Sequence, residues 1–385
     1  MKKPYLFSPG PTPIPTNTLL EMAKPIDYHR TVESVELIRL ASKKLQHVFQ
    51  TQNEVLILTC SGTGALEAAV ANLFSTGDRV IVIRSGKFGE RWGEICVAYG
   101  IDLEPIDLEW GHSIDPQQVA DRLAQYPDCK AILSTLCETS TGALHDIQGL
   151  GQVLKGSETL LMVDAVSALA ADNLEMDNWG VDVVVSASHK GLMSPPGLGL
   201  VSYSENAWQA SKKSNLPKYY FDLRKARKTS REGSTPYTPA ITFIVALNQA
   251  LDQICQEQIQ NVLHRHACLA NATRNGIKAI GFNLFARSPA NTLTSIQLPA
   301  EIDGKAFVQM MRNRHGITYA GGQSHLSGKI IRIAHLGWVT EHDVIVAISA
   351  LERGLAEVGY PVPPGAAVAA MQETFVSKPD IPNIK

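Results

Sequence analysis

The sequence lacks the signatures of several protein classes. It has no run of about 18 consecutive apolar residues, so no segment is expected to cross a membrane as a helix. The first ten residues carry two lysines but run into proline and glycine without an apolar stretch behind them; no secretory leader is expected. The six cysteines (Cys60, Cys96, Cys129, Cys137, Cys255 and Cys268) are scattered, with no C-x-x-C pair. That spacing suggests neither a disulfide framework nor a thiolate metal site. Nor is there an excess of either basic or acidic residues. Thirty-five Lys and Arg against 37 Asp and Glu leave a net charge of −2, whereas a nucleic-acid partner demands a basic face. Neither G-x-G-x-x-G nor a Walker loop occurs, which disfavours a dinucleotide dehydrogenase and an NTPase.

What is present is an ordinary globular composition: 385 residues, 44% hydrophobic and 19% charged. The length suits two or three domains, and a soluble cytoplasmic protein is the expectation. Residues 8–15 hold four prolines, which fix φ and remove donors, so the start of the chain reads as an extended arm. Short apolar runs then alternate with helical periodicity. Strands are predicted at 55–59, 79–83, 102–106, 131–135, 159–163 and 181–186, and helices at 31–49, 65–74, 90–99, 116–125 and 149–154. This alternation predicts an α/β fold with a mostly parallel sheet covered on both faces. Beyond residue 206 the pattern changes. A basic, aromatic segment at 212–231 reads as a solvated or site-flanking loop. One long amphipathic helix is predicted over 239–275, and a smaller β-α-β-α unit follows. The last 25 residues read as loose.

Three positions at strand ends could carry chemistry. Ser61-Gly62-Thr63-Gly64 lies between a strand and a helix, where free N–H groups and the helix dipole suit a phosphate; a ligand-free tight turn would look the same. Asp164 ends a buried strand and could face a cationic ring nitrogen, or simply cap a helix. Lys190 follows another buried strand, 26 residues later. A desolvated lysine there could form a Schiff base, and an exposed loop lysine is the alternative. Together, a phosphate cup, a carboxylate for a pyridinium nitrogen and a Schiff-base lysine are what pyridoxal phosphate requires.

From residue 9 to about residue 370 the chain resembles class V aminotransferases of fold type I, the group of alanine–glyoxylate and serine–glyoxylate aminotransferases. The stretches that carry the resemblance include Pro-Gly-Pro-Thr at 9–12, Ser-Gly-Thr-Gly-Ala-Leu-Glu at 61–67, Gly-Lys-Phe-Gly at 86–89, Glu-Thr-Ser-Thr-Gly at 138–142 and Val-Asp-Ala-Val at 163–166. Further along they include Ser-His-Lys at 188–190, Thr-Pro-Tyr-Thr-Pro at 235–239 and Arg-Ile-Ala-His-Leu-Gly at 332–337. Some cyanobacterial members bear a soluble-hydrogenase label.

The resemblance implies an aspartate-aminotransferase-like fold: an arm (1–15), a large domain with a mostly parallel seven-stranded sheet (16–262) and a smaller C-terminal α/β domain (263–385). It implies Lys190 as the covalent attachment point and proton carrier, and Asp164 as partner of the pyridinium nitrogen. Phe88 would stack on the ring and Thr139 would bond near the ring oxygen. Ser61, Gly62, Thr63 and His189 would bind the phosphate, and Thr235 and Thr238 would reach the phosphate of a neighbouring subunit, making a homodimer with shared sites. Arg332 would grip the substrate carboxylate as a bidentate fork.

The implied reaction moves an amino group from alanine or serine to glyoxylate by a ping-pong route. Two rivals remain: another reaction on the same cofactor, such as β-elimination, and a non-catalytic subunit of a larger complex. His189 precedes the lysine, as in cysteine desulfurases, where that His stacks on the ring, so stacking and phosphate binding are both open to it here. No cysteine follows Cys268 to act as their nucleophile, so a desulfurase is not expected. A hydrogenase would need clustered thiolates, which are lacking.

Overall fold

The computed structural model describes residues 3–377. The strands, in chain order, are β1 (Tyr5–Phe7), β2 (Val55–Thr59), β3 (Arg79–Arg84), β4 (Asp102–Asp107), β5 (Ala131–Thr135), β6 (Cys137–Glu138), β7 (Ala143–Leu144), β8 (Leu160–Asp164), β9 (Val183–Ala187), β10 (Leu198–Tyr203), β11 (Leu293–Gln297), β12 (Ile317–Gly321) and β13 (Ile330–Ala334). Seven of them form one sheet in the order β2-β10-β9-β8-β5-β3-β4. All its neighbouring pairs are parallel except those of β10, which is antiparallel to both β2 and β9. Strand β2 therefore points the same way as β9. The mostly parallel seven-stranded sheet is as expected.

Alternation along the strands separates two apolar layers, because successive side chains point to opposite faces. Ile81, Ile132, Leu161 and Val184 pack with Leu45, Phe49 and Leu251 on one face. Val80, Leu133, Met162 and Val185 pack with Leu66 and Trp92 on the other. A second sheet, β1-β12-β13-β11, carries its own apolar cluster around Phe307, Ile331 and Leu355. Near the N-terminus β1 pairs in parallel with β12 of this smaller sheet, and the chain bends over residues 8–11 before helix Thr16–Met22. Helix Ile259–Ala279 runs through residue 262, where the large domain was expected to end.

Three expectations are corrected. The single helix over 239–275 is two helices, Ile241–Glu257 and Ile259–Ala279, broken at Gln258, whose φ of 70° no helix can continue. The apolar periodicity persists across the break because both segments bury the same kind of face, and so it hid the interruption. The basic segment is not all loop, since Leu223–Arg231 is helical. Asp222 caps it, Leu223 and Ala226 are buried beneath it, and Arg227 and Arg231 pair with Glu54. The C-terminal stretch is not loose as far as residue 377. Helix Ala366–Val376 buries Ala367 and Met371, and the Glu352 carboxylate accepts from the Gly365 and Ala367 amides at 3.1 and 2.7 Å. The remainder of that stretch lies outside the described residues.

The sheet gathers the chemistry at one edge. Strands β2, β3, β5, β8 and β9 all point the same way, and Ser61, Phe88, Thr139, Asp164 and Lys190 lie at or just beyond their carboxyl ends. Open α/β sheets bind ligands at that edge.

Candidate active site

Lys190 sits three residues past β9 and is 8% exposed. Its Nζ donates to the carbonyl of Pro9 at 2.5 Å, so the arm closes over it. Gly10 makes this approach possible, because a Cβ there would lie 2.2 Å from Nζ, and its φ of 140° also favours glycine. Thr12 ties the arm down by donating from Oγ1 to the Lys190 carbonyl at 2.9 Å. Burial, with help from Arg332 and Arg91, pushes the Lys190 ammonium down to about 8, while Asp164 opposes the shift. An amine in this state is neutral, and nucleophilic, at mildly alkaline pH.

Asp164 ends β8 and is buried. Its Oδ1 accepts from the Val166 amide at 2.8 Å. Burial pushes its carboxyl up to about 6, against the pull of that amide and of Arg91 and Lys190. A carboxylate this desolvated has a strong demand for a cation.

Ser61 caps helix Gly62–Leu73, accepting from the Gly64 amide. A Cβ on Gly62 would lie 2.9 Å from the Val166 side chain. Glycine here brings the helix N-terminus against the turn that follows Asp164, and leaves first-turn amides free for an anion. Thr63 is exposed, and its Oγ1 accepts from Arg91 at 3.2 Å. His189 is kept neutral, since burial, followed by Lys190, pushes it down to about 4. Its buried Nδ1 has no hydrogen-bond partner among the described residues.

Phe88 opens helix Lys87–Ala98 and is half-buried, with the Arg91 guanidinium 4.8 Å above its ring. Thr139 is buried and donates to Ser167 Oγ at 2.7 Å. Arg332, on β13 of the smaller sheet, reaches the turn that follows β6 by donating to the Thr139 carbonyl at 2.7 Å. It also donates twice to the carbonyl of Gly321, at 3.0 and 2.8 Å. No carboxylate lies within 4.0 Å of this buried guanidinium among the described residues. Burial pulls it down to about 10, with Glu138 opposing. It is a fork lacking an acidic partner.

Thr235 and Thr238 stand apart. They line a small cavity with Thr59 and Tyr220, and Thr235 donates to the Tyr237 carbonyl at 2.5 Å. Within the chain, no hydrogen bond joins them to Lys190, Asp164 or Ser61 among the described residues. Two residues with a bearing on the site were not singled out by the sequence reading. Arg91 touches both Thr63 and Phe88. Glu138 is a fully buried carboxylate, and its position just past a buried strand was the available signal.

Among the described residues no helix is long and apolar enough to cross a membrane, and no three His, Cys, Asp or Glu gather as a metal site. Residues 4–338 match the family Aminotransferase class-V. A protein named soluble hydrogenase, small subunit, from a Synechococcus species is 44% identical over 96% of this chain and 97% of its own. A serine–glyoxylate aminotransferase from Hyphomicrobium methylovorum is 34% identical over 97% and 94%. The crystal structure of a pyridoxamine–pyruvate aminotransferase from Mesorhizobium loti superimposes with a TM-score of 0.93 at 28% identity, covering 98% of each chain. A sheet edge that gathers a desolvated lysine, a carboxylate in want of a cation and a free helix N-terminus is accounted for by these relationships: the chain belongs to the class-V aminotransferases, transaminases that depend on pyridoxal phosphate.

Proposed function

We propose that the enzyme transfers an amino group from serine or alanine to glyoxylate, or to another small 2-oxo acid, by a ping-pong route. The observation that carries this reading is Arg332, a single buried guanidinium fork held only by main-chain carbonyls. One such fork suits substrates with one carboxylate, as serine, alanine and glyoxylate all are.

The side chains fit the cofactor. The Asp164 carboxylate suits the pyridinium nitrogen, the orphaned His189 Nδ1 and the amides behind Ser61 suit phosphate oxygens, and Gly10 and Gly62 keep the space a Cβ would fill. Pyridoxal phosphate, when bound, supplies the electron sink for the pair left as a substrate Cα loses its proton. Lys190 would hold the cofactor and, once released, carry that proton between Cα and C4′ through its neutral Nζ. Asp164 would keep the ring nitrogen protonated. Ser61, Gly62, Thr63 and His189 would bind phosphate, Phe88 would stack on the ring, and Thr139 would bond near its oxygen. Thr235 and Thr238, which bond to none of Lys190, Asp164 and Ser61 within the described residues, would serve the phosphate of a second copy in a homodimer. A cytoplasmic location accompanies this reading.

The visible spectrum of the purified protein tests it. A yellow band should bleach with serine or alanine and return with glyoxylate. A donor reaction with no need of an acceptor would point instead to elimination. A colourless protein that takes up no pyridoxal phosphate would overturn the enzyme reading in favour of a non-catalytic subunit.

A further inference from the structure

The ring platform and the substrate fork both lead back to Glu138. This residue follows β5 and is fully buried. Its Oε2 accepts from the amides of Phe88 and Gly89 at 3.0 and 2.9 Å. Its Oε1 accepts from the Ser140 amide at 3.1 Å and from Ser140 Oγ at 2.6 Å. The Phe88 and Gly89 amides belong to the first turn of helix Lys87–Ala98, and the N-cap of that helix, Gly86, has no side chain to satisfy them. Glu138 therefore caps the helix from a different strand.

A side chain at the N-cap itself would displace this arrangement. A Cβ on Gly86 would lie 2.3 Å from Ser140 Oγ and 2.5 Å from Glu138 Cδ. A Ser or Asp at 86 would also tie the helix only to itself. The carboxylate instead fastens Phe88 to the strand end that carries Thr139, whose carbonyl in turn receives Arg332. Among the described residues no Lys, Arg or His lies within 4.0 Å of it; its direct partners are converging N–H and O–H donors, which oppose the upward push of burial on its carboxyl, and the Arg332 guanidinium acts on it only at longer range. Burying a full carboxylate is an expensive way to cap one helix turn. It is an economical way to hold an aromatic ring at a set height above a cofactor.

We propose that Glu138 is a positioning residue for the cofactor, setting the place and tilt of Phe88 and through it the affinity for pyridoxal phosphate. This rests on the reading of Phe88 as the stacking platform. The test uses the full-length protein freed of cofactor, as wild type, Glu138→Gln, Phe88→Leu and the double variant. The readouts are the dissociation constant for pyridoxal phosphate, the visible circular dichroism per bound cofactor, and the melting temperature of the cofactor-free protein.

Glutamine offers one acceptor where the carboxylate offers two and turns an N–H₂ group toward existing donors. Glu138→Gln should therefore weaken binding about tenfold or more and alter the visible dichroism. The double variant should bind no more weakly than the weaker single variant. A Glu138→Gln protein that melts lower but keeps its affinity and dichroism would reduce Glu138 to a structural cap and overturn the proposal, as would losses that simply add. Unchanged affinity in Phe88→Leu would overturn the platform reading and the proposal with it. Should Glu138→Gln fail to fold, Ser140→Ala, which removes one donor, is expected to weaken binding about threefold, and an unchanged constant would overturn the proposal.

Discussion

Replacing Asp164 by Asn separates the demands of the empty site from those of the loaded one. Burial moves the Asp164 carboxyl from 3.8 up to about 6. At 1.36 kcal/mol per pH unit, keeping it ionised in the cofactor-free protein costs about 3 kcal/mol. The folded state holds this proton more tightly than the unfolded one, so the penalty is absent below pH 3.8 and complete above about pH 6. Asparagine carries no such penalty, and its Oδ1 can still accept from Val166. The cofactor-free variant should match wild type near pH 4 and melt higher at pH 7 to 8, by several degrees for a penalty of about 3 kcal/mol. Binding should run the other way. A cationic ring nitrogen recovers the penalty only in wild type, so the variant should hold pyridoxal phosphate up to about a hundredfold more weakly. Melting curves across pH and an equilibrium titration with cofactor check both halves. Equal affinities, or a stability gap that widens toward acid, would refute the reasoning.

Arg332→Lys keeps the charge but loses the planar fork, so KM for amino donor and acceptor should rise about ten- to a hundredfold with a smaller change in kcat, as steady-state kinetics would show. Because burial brings the Lys190 ammonium to about 8, uptake of pyridoxal phosphate by the cofactor-free protein should quicken with pH and level off above that value; a rise centred near 10.5 would contradict a desolvated lysine. Gln258→Gly should stabilise the chain by about 1 kcal/mol in urea unfolding, since Gln258 holds a φ of 70° that glycine adopts without strain.

Much of the site was legible because catalysis at a parallel sheet edge uses residues close in sequence to buried strands. Asp164 and Lys190 announce themselves as charged residues directly after Val- and Leu-rich runs, and Gly62 and Gly64 as breaks ahead of a helix. Thr139 and Arg332 needed the resemblance, since a threonine after a strand and an arginine within one look unremarkable on their own. Glu138 and Arg91 escaped notice because their link to the site lies in what they touch. The Glu138 carboxylate serves amides about 50 positions earlier in the chain, and no periodicity records such a pairing. The break at Gln258 escaped for a related reason: hydrophobic pattern reports which face is buried, not whether the backbone is continuous.

The sequence by itself determined the layered α/β architecture, through runs whose alternation leaves a two-sided sheet as the way to bury them, and it determined the chemistry available at the strand ends. The tertiary structure alone decided how those groups are tuned. Desolvation of Lys190 and Asp164, the closing of the Pro9 carbonyl over the lysine, the reach of Arg332 from the smaller sheet to Thr139 and the support of Phe88 by Glu138 all depend on distances between segments far apart in the chain. Burial and hydrogen bonding are properties of neighbours in space, and folding is what supplies the neighbours.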